Sequence, residues 1–268
     1  MTSTRGTGGP LPLLQLDGVV QRFGGLVAVN NVSFMIAPGE VKGLIGPNGA
    51  GKSTTFDLVT GVRPPTSGEI HFKGARITQQ PAYTRSPMGM ARTFQIVRLF
   101  RGLTVLENVQ MGMHPDFSDR IVPSILGNAR RRATEAESRK RGMKLLDFVG
   151  LADRADERIE ALTLGQIRLV DIARALASGP ELLMLDEPAA GLNDVETRNL
   201  AEMLALLKKR GMSMLLVEHD IDFIMSTCDT IVVMDHGTKI ADGTPAEVSQ
   251  NREVIAAYIG QRAADATL

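Results

Sequence analysis

The chain has 268 residues, 43% of them hydrophobic and 22% charged, enough to bury a large core as one domain or as a core with an inserted lobe. Thirty Lys and Arg balance thirty Asp and Glu, which argues against nucleic acid as the main partner, because phosphate backbones select basic surfaces. The single cysteine, Cys228, excludes an internal disulfide, suits a reducing cytoplasm and reads as a small buried hydrophobe; no apolar run approaches the roughly 18–20 residues that a bilayer crossing needs.

Met1 to Pro12 is rich in Gly, Thr, Ser and Pro and reads as a frayed tail, with no apolar stretch for a signal peptide. Leu14 to Phe23 and Val27 to Ile36 are rich in Val, Leu and Phe and predict two strands around a turn at Gly24-Gly25. A second turn at Pro38-Gly39 leads into a short apolar strand, Glu40 to Ile45. The next residues, Gly46-Pro47-Asn48-Gly49-Ala50-Gly51-Lys52-Ser53-Thr54, fit G-x-x-x-x-G-K-[ST], and Lys52 to Thr60 predicts a helix stopped by Gly61. Strand, glycine loop and helix in this order form a phosphate cradle. Backbone N–H groups curl around phosphate oxygens and the helix adds the positive end of its dipole. Lys52 then reaches the β- and γ-phosphates, the Ser53 hydroxyl ligates Mg²⁺, and Thr54 contacts phosphate.

Ile70 to Lys73 predicts another strand. From about Gln95 to Ser178 the pattern turns helical, with a helix over Ala133 to Val149 ended by Gly150. Arg130, Arg131, Arg132, Arg139, Lys140 and Arg141 read as its solvated face. Within this stretch, Leu162-Thr163-Leu164-Gly165-Gln166 is a second candidate phosphate contact that opens a helix.

Alternation then returns. Leu182 to Leu185 is a buried strand closing on Asp186-Glu187. If it neighbours the strand before the glycine loop, Asp186 can hold a hydrated Mg²⁺ and Glu187 can polarise an attacking water, a role worth about 10²–10⁴-fold in rate. Asp194 to Lys209 predicts a helix, Ser213 to Val217 a strand, Ile221 to Ser226 a helix, and Thr230 to Met234 with Thr238 to Ala241 closing strands. Short helices follow at Pro245 to Ser249 and Glu253 to Ile259. Apolar strands alternating with helices predict an α/β fold around a parallel sheet, with the helical block grafted in. His71, His114 and His236 read as ordinary structural histidines.

From about residue 14 to 260 the chain resembles the ATP-binding subunits of ABC transporters. Leu162-Thr163-Leu164-Gly165-Gln166 is similar to that family's LSGGQ signature and is followed by Ile172-Ala173-Arg174-Ala175-Leu176; Asp186-Glu187-Pro188 resembles its Walker B segment, and Ala190-Gly191-Leu192-Asn193 its D-loop. The resemblance places His219 at the switch-histidine position, Gln95 at the Q-loop and Phe23 where an aromatic ring stacks on adenine. It implies a P-loop NTPase (RecA-like) parallel-sheet core with an N-terminal antiparallel β subdomain. The domain would span 13–260, with a helical subdomain at about 96–178 and tails at 1–12 and 261–268. It also implies ATP and Mg²⁺ as ligands, Glu187, His219 and Lys52 as catalytic residues, and Ser53, Gln95 and Asp186 around the metal. In a head-to-tail dimer with itself or a paralogue, Thr163, Gly165 and Gln166 of one chain would face the nucleotide held by Gly46 to Thr54 of the other. Three departures stand out: Thr163 for Ser, Leu164 for the first Gly, whose side chain must then point away from the phosphates, and Asn193 for Asp.

Ala91-Arg92-Thr93-Phe94-Gln95-Ile96-Val97-Arg98-Leu99-Phe100, Val217-Glu218-His219-Asp220 and Val254-Ile255-Ala256-Ala257-Tyr258-Ile259-Gly260 look like the branched-chain amino-acid importers. That implies permease partners docking near Arg98, Leu99 and Phe100, a periplasmic solute-binding protein acting indirectly, and a peripheral place on the cytoplasmic membrane face. Alternatives are other branches (urea, amide or aromatic-acid import, lipid export) and ABC ATPases of DNA repair or translation. A GTPase or small-molecule kinase would lack any use for Gly165 and His219.

Overall fold

The computed structural model describes residues 11–93, 99–113 and 127–265, for 127–133 and 259–265 the backbone alone. Gln95, Phe94, Arg98, His114, the side chains of Arg130, Arg131 and Arg132, and residues 1–10 and 266–268 of the two expected tails therefore lie outside the described residues, whereas 261–265, expected as tail, continues the last helix, Arg252–Asp265. In chain order, β1 (Leu14–Phe23) and β2 (Leu26–Ile36) turn back at Gly24-Gly25, and β3 (Val41–Ile45) runs into α1 (Lys52–Thr60). Next come β4 (Ser67–Phe72), β5 (Ala75–Arg76), α2 (Ala82–Arg85) and β6 (Met90–Arg92). A helical stretch holds α3 (Val105–Met111), α4 (Gly127–Phe148) and α5 (Leu164–Leu176). Strands and helices then alternate: β7 (Leu182–Asp186), α6 (Asp194–Lys209), β8 (Ser213–Val217), α7 (Ile221–Thr227), β9 (Thr230–Asp235), β10 (Thr238–Gly243), α8 (Pro245–Ser249) and α9 (Arg252–Asp265).

Two sheets result. The first is antiparallel, in the order β2-β1-β4-β5; the second runs β10-β9-β3-β8-β7-β6, parallel except for β10. Period-two alternation in the parallel strands sorts the interior into two cores. Leu44, Met184, Leu215 and Val232 face the antiparallel sheet and Phe56 and Leu58 of α1. Ile45, Leu183, Leu216 and Ile231 face the other way, in one cluster with Val105, Leu146 and Val170 of the helical stretch. The lobe thus shares its apolar interior with one sheet face. The three-residue β6 is too short to carry a sequence period, yet it pairs in parallel with β7 from Met90↔Leu182 to Arg92↔Met184 and forms the sheet edge.

Helix ends follow local chemistry. Thr104 and Glu107 cap α3, Thr163 and Gln166 cap α5, and Asn193 and Glu196 cap α6, each as a reciprocal capping box. At its other end α1 is closed by Arg85, which is 2% exposed. The guanidinium donates to the carbonyls of Leu58 and Val59, and also to those of Ile77 and Gln80. Burial lowers its pKa to about 10, so it stays charged at neutral pH. Arg85→Met is expected to destabilise the fold by about 3 kcal/mol, since three buried carbonyls and one half-buried carbonyl lose charged donors. A lowered denaturant midpoint would measure it, and an unchanged midpoint would rule the cap out.

Candidate functional site

The glycine loop leaves the C-terminal end of β3 and is shaped by packing on its outer side. A Cβ at Gly46 would overlap the Met234 carbonyl of β9, and one at Gly51 the Ala28 carbonyl of β2, so both positions exclude any side chain. Both also have positive φ, as does Gly49, which faces open space. Within the curl, Lys52 Nζ donates to the carbonyls of Gly46 (2.6 Å) and Pro47 (2.9 Å). Burial pulls its pKa below the ordinary lysine value, and the nearby Glu187 charge opposes the shift. Asn48 and Ser53 are exposed, Pro47 and Thr54 half-buried, and Ala50 is buried beneath the loop.

The carboxylates lie one strand further away than the sequence suggests. β7 does not neighbour β3, because β8 lies between them, pairing Leu44↔Val217 on one side and Asp186↔Val217 on the other. Two strand spacings put the acidic pair about 10 Å from the glycine loop, a gap of the size of a phosphate chain with a hydrated cation. His219 follows β8 and so stands in the gap, its side chain 61% exposed. Burial raises the Asp186 carboxyl pKa to about 6; Arg92 opposes the shift, while Glu187, Asp57 and Glu218 add to it. With the exposed Ser53 hydroxyl, that carboxyl makes a donor set suited to a hard divalent cation. Among the described residues no three His, Cys, Asp or Glu cluster as a complete metal cage, so such a cation would also need water and phosphate ligands.

Glu187 itself is a non-glycine residue with φ 47°. That strained conformation is held from both sides. Its N–H donates to the Val217 carbonyl (2.8 Å), and Arg168 Nη1 donates to its carbonyl (2.8 Å). Two residues on, the Ala189 N–H donates to Glu218 Oε1 (2.7 Å). Arg168 and Glu218 escape the sequence reading as site residues. The available signals were an Arg two positions after Gln166 and an acidic residue closing an apolar strand, the same signal that picks out Asp186.

The second candidate contact sits on the helical side. The Thr163 hydroxyl accepts from the Gln166 N–H, while Gln166 Oε1 accepts from the Thr163 N–H and from Arg154 Nη1 (2.7 Å). Gln166 is therefore committed to the cap, which leaves the Thr163 hydroxyl proton and the N–H groups of Leu164 and Gly165 to meet a ligand. Gly165 is buried against α6, where a Cβ would stand 2.5 Å from Glu196 Oε1. The Leu164 side chain lies over Gly191, its Cδ2 3.1 Å from where a Cβ there would be. Asn193 spends its side-chain oxygen on capping α6, a role that Asn and Asp fill equally.

Phe23, at the end of β1, is 41% exposed and carries Arg63 over one ring face, 5.1 Å from the centroid. Phe100, Tyr83 and Met111 border an open groove with Arg92 and Arg174. Asn108, fully buried, holds Phe100 there: its Oδ1 accepts the Phe100 N–H (2.7 Å), and its Nδ2 donates to the carbonyls of Phe100 and Thr104. Arg92 runs from the groove to α1, donating to Thr60 Oγ1 (2.9 Å) and lying 3.6 Å from Asp57.

Comparison with known proteins agrees with this fold. Residues 29–190 match the family model described as "ABC transporter", and residues 238–264 match one described as "Branched-chain amino acid ATP-binding cassette transporter". The chain is 41% identical over 251 residues to the high-affinity branched-chain amino acid transport ATP-binding protein LivG of Escherichia coli K12, covering 93% of this chain and 98% of that one. A crystal structure of the ADP conformation of an ATP-binding cassette of an ABC transporter superposes with a TM-score of 0.80, at 29% identity over 93% of this chain and 99% of that one. A dimeric post-hydrolysis cassette bound to ADP and Pi superposes at 0.72, with 26% identity over 87% and 98%.

Proposed function

The chain belongs to the ABC transporter family as an ATP-binding subunit, and on that premise we propose that it powers uptake of branched-chain amino acids or related small polar solutes by hydrolysing ATP. The reading rests above all on one observation. The C-terminal ends of β3, β8 and β7 bring Lys52, His219 and the Asp186-Glu187 pair to a single sheet edge. That edge is where open α/β sheets bind ligands.

In this reading the amides of Gly46 to Thr54 and the Lys52 ammonium bind the triphosphate, and the Phe23 face not covered by Arg63 takes the adenine. Lys52 exchanges two loop carbonyls for phosphate oxygens, a stronger pairing for a partly desolvated ammonium. Mg²⁺, when bound, would neutralise phosphate charge, held by Ser53 and Asp186 and, by family resemblance, Gln95. Glu187 accepts a proton from, or orients, the attacking water, and His219 holds the γ-phosphate side of that water. Thr163 and the amides opening α5, Gly165 among them, cap the nucleotide of a partner cassette, so each site needs two chains. The partner is a second copy or a paralogue.

No helix among the described residues is long and apolar enough to cross a membrane, so the solute path belongs to permease subunits. The groove beside Phe100 and Tyr83 is the surface offered to them, and the subunit sits peripherally on the cytoplasmic face. A periplasmic solute-binding protein acts through the permease. Lys52→Ala is expected to abolish nucleotide binding, lowering affinity by about 100-fold or more, because the ammonium's charge-assisted contacts vanish. Nucleotide titration of the purified chain measures this. Loss of labelled leucine, isoleucine and valine uptake in cells carrying Lys52→Ala tests the transport reading, and normal uptake would refute it.

A further inference from the structure

Glu218 has no exposed side-chain surface and stands between the groups assigned to the chemistry. It follows β8 directly, and the pairing of Asp186 with Val217 sets it beside Glu187. Its Oε1 accepts the Ala189 N–H at 2.7 Å, while Oε2 accepts the His219 N–H at 3.1 Å and lies 3.6 Å from His219 Nδ1. One carboxylate thus ties the turn after β7 to the turn after β8. A buried carboxylate is costly, and an apolar side chain would fill such a space without the desolvation penalty. The local return is that two amides from different turns share one acceptor, and among the described residues neither donates to any other. An apolar residue would leave both unpaired.

We propose that Glu218 is a positioning residue that locks His219 and the Glu187–Ala189 turn into one unit, so that ATP hydrolysis depends on it without contact to the reacting atoms. This rests on the assignment of Glu187 and His219 above. Gln at 218 keeps one acceptor oxygen but turns an NH₂ donor toward the second amide. Asp keeps the charge but is one methylene too short to span both. Each change loosens one end of the lock and leaves the glycine loop alone.

The test is a double-variant cycle on the full-length chain, read as single-turnover hydrolysis of radiolabelled ATP alongside ATP affinity and thermal midpoint. E218Q and E218D are expected to hydrolyse about 10–100-fold more slowly, the scale of a misplaced catalytic group, with ATP affinity unchanged. E218Q combined with H219A is expected to lose clearly less than the product of the two single losses, because part of the Glu218 effect is carried through that histidine and the rest through the Glu187 turn. Parental rates in both Glu218 variants would overturn the proposal. So would losses from E218Q and H219A that simply multiply, or unfolding of both variants, which would make Glu218 a residue of stability alone. Full hydrolysis in the H219A and E187Q single variants would instead remove the underlying assignment, so the two failures are distinguishable.

Discussion

Glu187→Gln is expected to bind ATP at least as tightly as the parent chain while turnover falls by about 10²–10⁴-fold, the loss expected when a positioned general base is removed. Affinity survives because the triphosphate grip comes from the loop after β3, two strands away, and because Gln is isosteric with Glu. The backbone that carries residue 187 is fixed by Val217 and Arg168 through main-chain atoms, so the substitution leaves the turn in place. Electrostatics adds a second effect. Asp186, Glu187 and Glu218 crowd negative charge at one sheet edge, and a bound triphosphate adds more. Removing one of these charges favours the nucleotide-bound state and slows its exit.

The variant should therefore accumulate as an ATP-bound dimer, visible as a doubled mass on size exclusion with ATP and absent without it. Phosphate release at saturating ATP gives the turnover. Unchanged hydrolysis would take Glu187 out of the catalytic role. A fall in rate matched by a fall in affinity would instead point to damage in the nucleotide grip.

Much of this was legible from the chain because the motifs carry their own local physics. The glycine loop needs only a strand before it and a helix after it, and β3 and α1 fall where the pattern places them. The capping boxes at Thr163 and Asn193 are equally local, each closed between residues three apart, but in sequence Thr163 and Asn193 read as residues with other roles, and the caps pass unnoticed. What could not be read depends on strand order and on the third dimension. Asp186-Glu187 was expected beside the loop only on condition that β7 neighbour β3; the observed order inserts β8, a choice made by long-range packing that no local period encodes. β6 hides because three residues carry no alternation. Arg85, Arg168 and Glu218 look like ordinary surface charges in sequence, since charged residues are mostly exposed. Each is instead drawn inward to backbone groups: four carbonyls for Arg85, the Glu187 carbonyl for Arg168 and two amides for Glu218. Such partners become visible only once the turns have been placed.

Gly165→Asp separates the two half-sites that one chain contributes. The substitution lies at the start of α5, away from the loop after β3, so nucleotide affinity of the single chain should stay within about twofold of the parent, as for distant independent sites. Its consequences fall on the cap. Any Cβ at 165 meets Glu196 Oε1 at 2.5 Å, and Glu196 cannot yield freely because its carboxylate also accepts the Asn193 N–H that closes the α6 cap. Asp adds a second carboxylate against the first, and it presents negative charge where the helix start is to receive a phosphate. Dimer closure on ATP should fail and hydrolysis should drop by about 100-fold or more, the scale of losing preorganised donors to a developing charge. Gly165→Ala, which brings the clash without the charge, should lose less, and the difference between the two variants measures the electrostatic share. Because the fault is in the face offered to a partner, mixing Gly165→Asp with Lys52→Ala chains should restore one composite site, made of an intact loop from the first and an intact cap from the second. Hydrolysis that recovers on mixing would require that a nucleotide is shared between chains; normal hydrolysis by Gly165→Asp alone would mean that it is not.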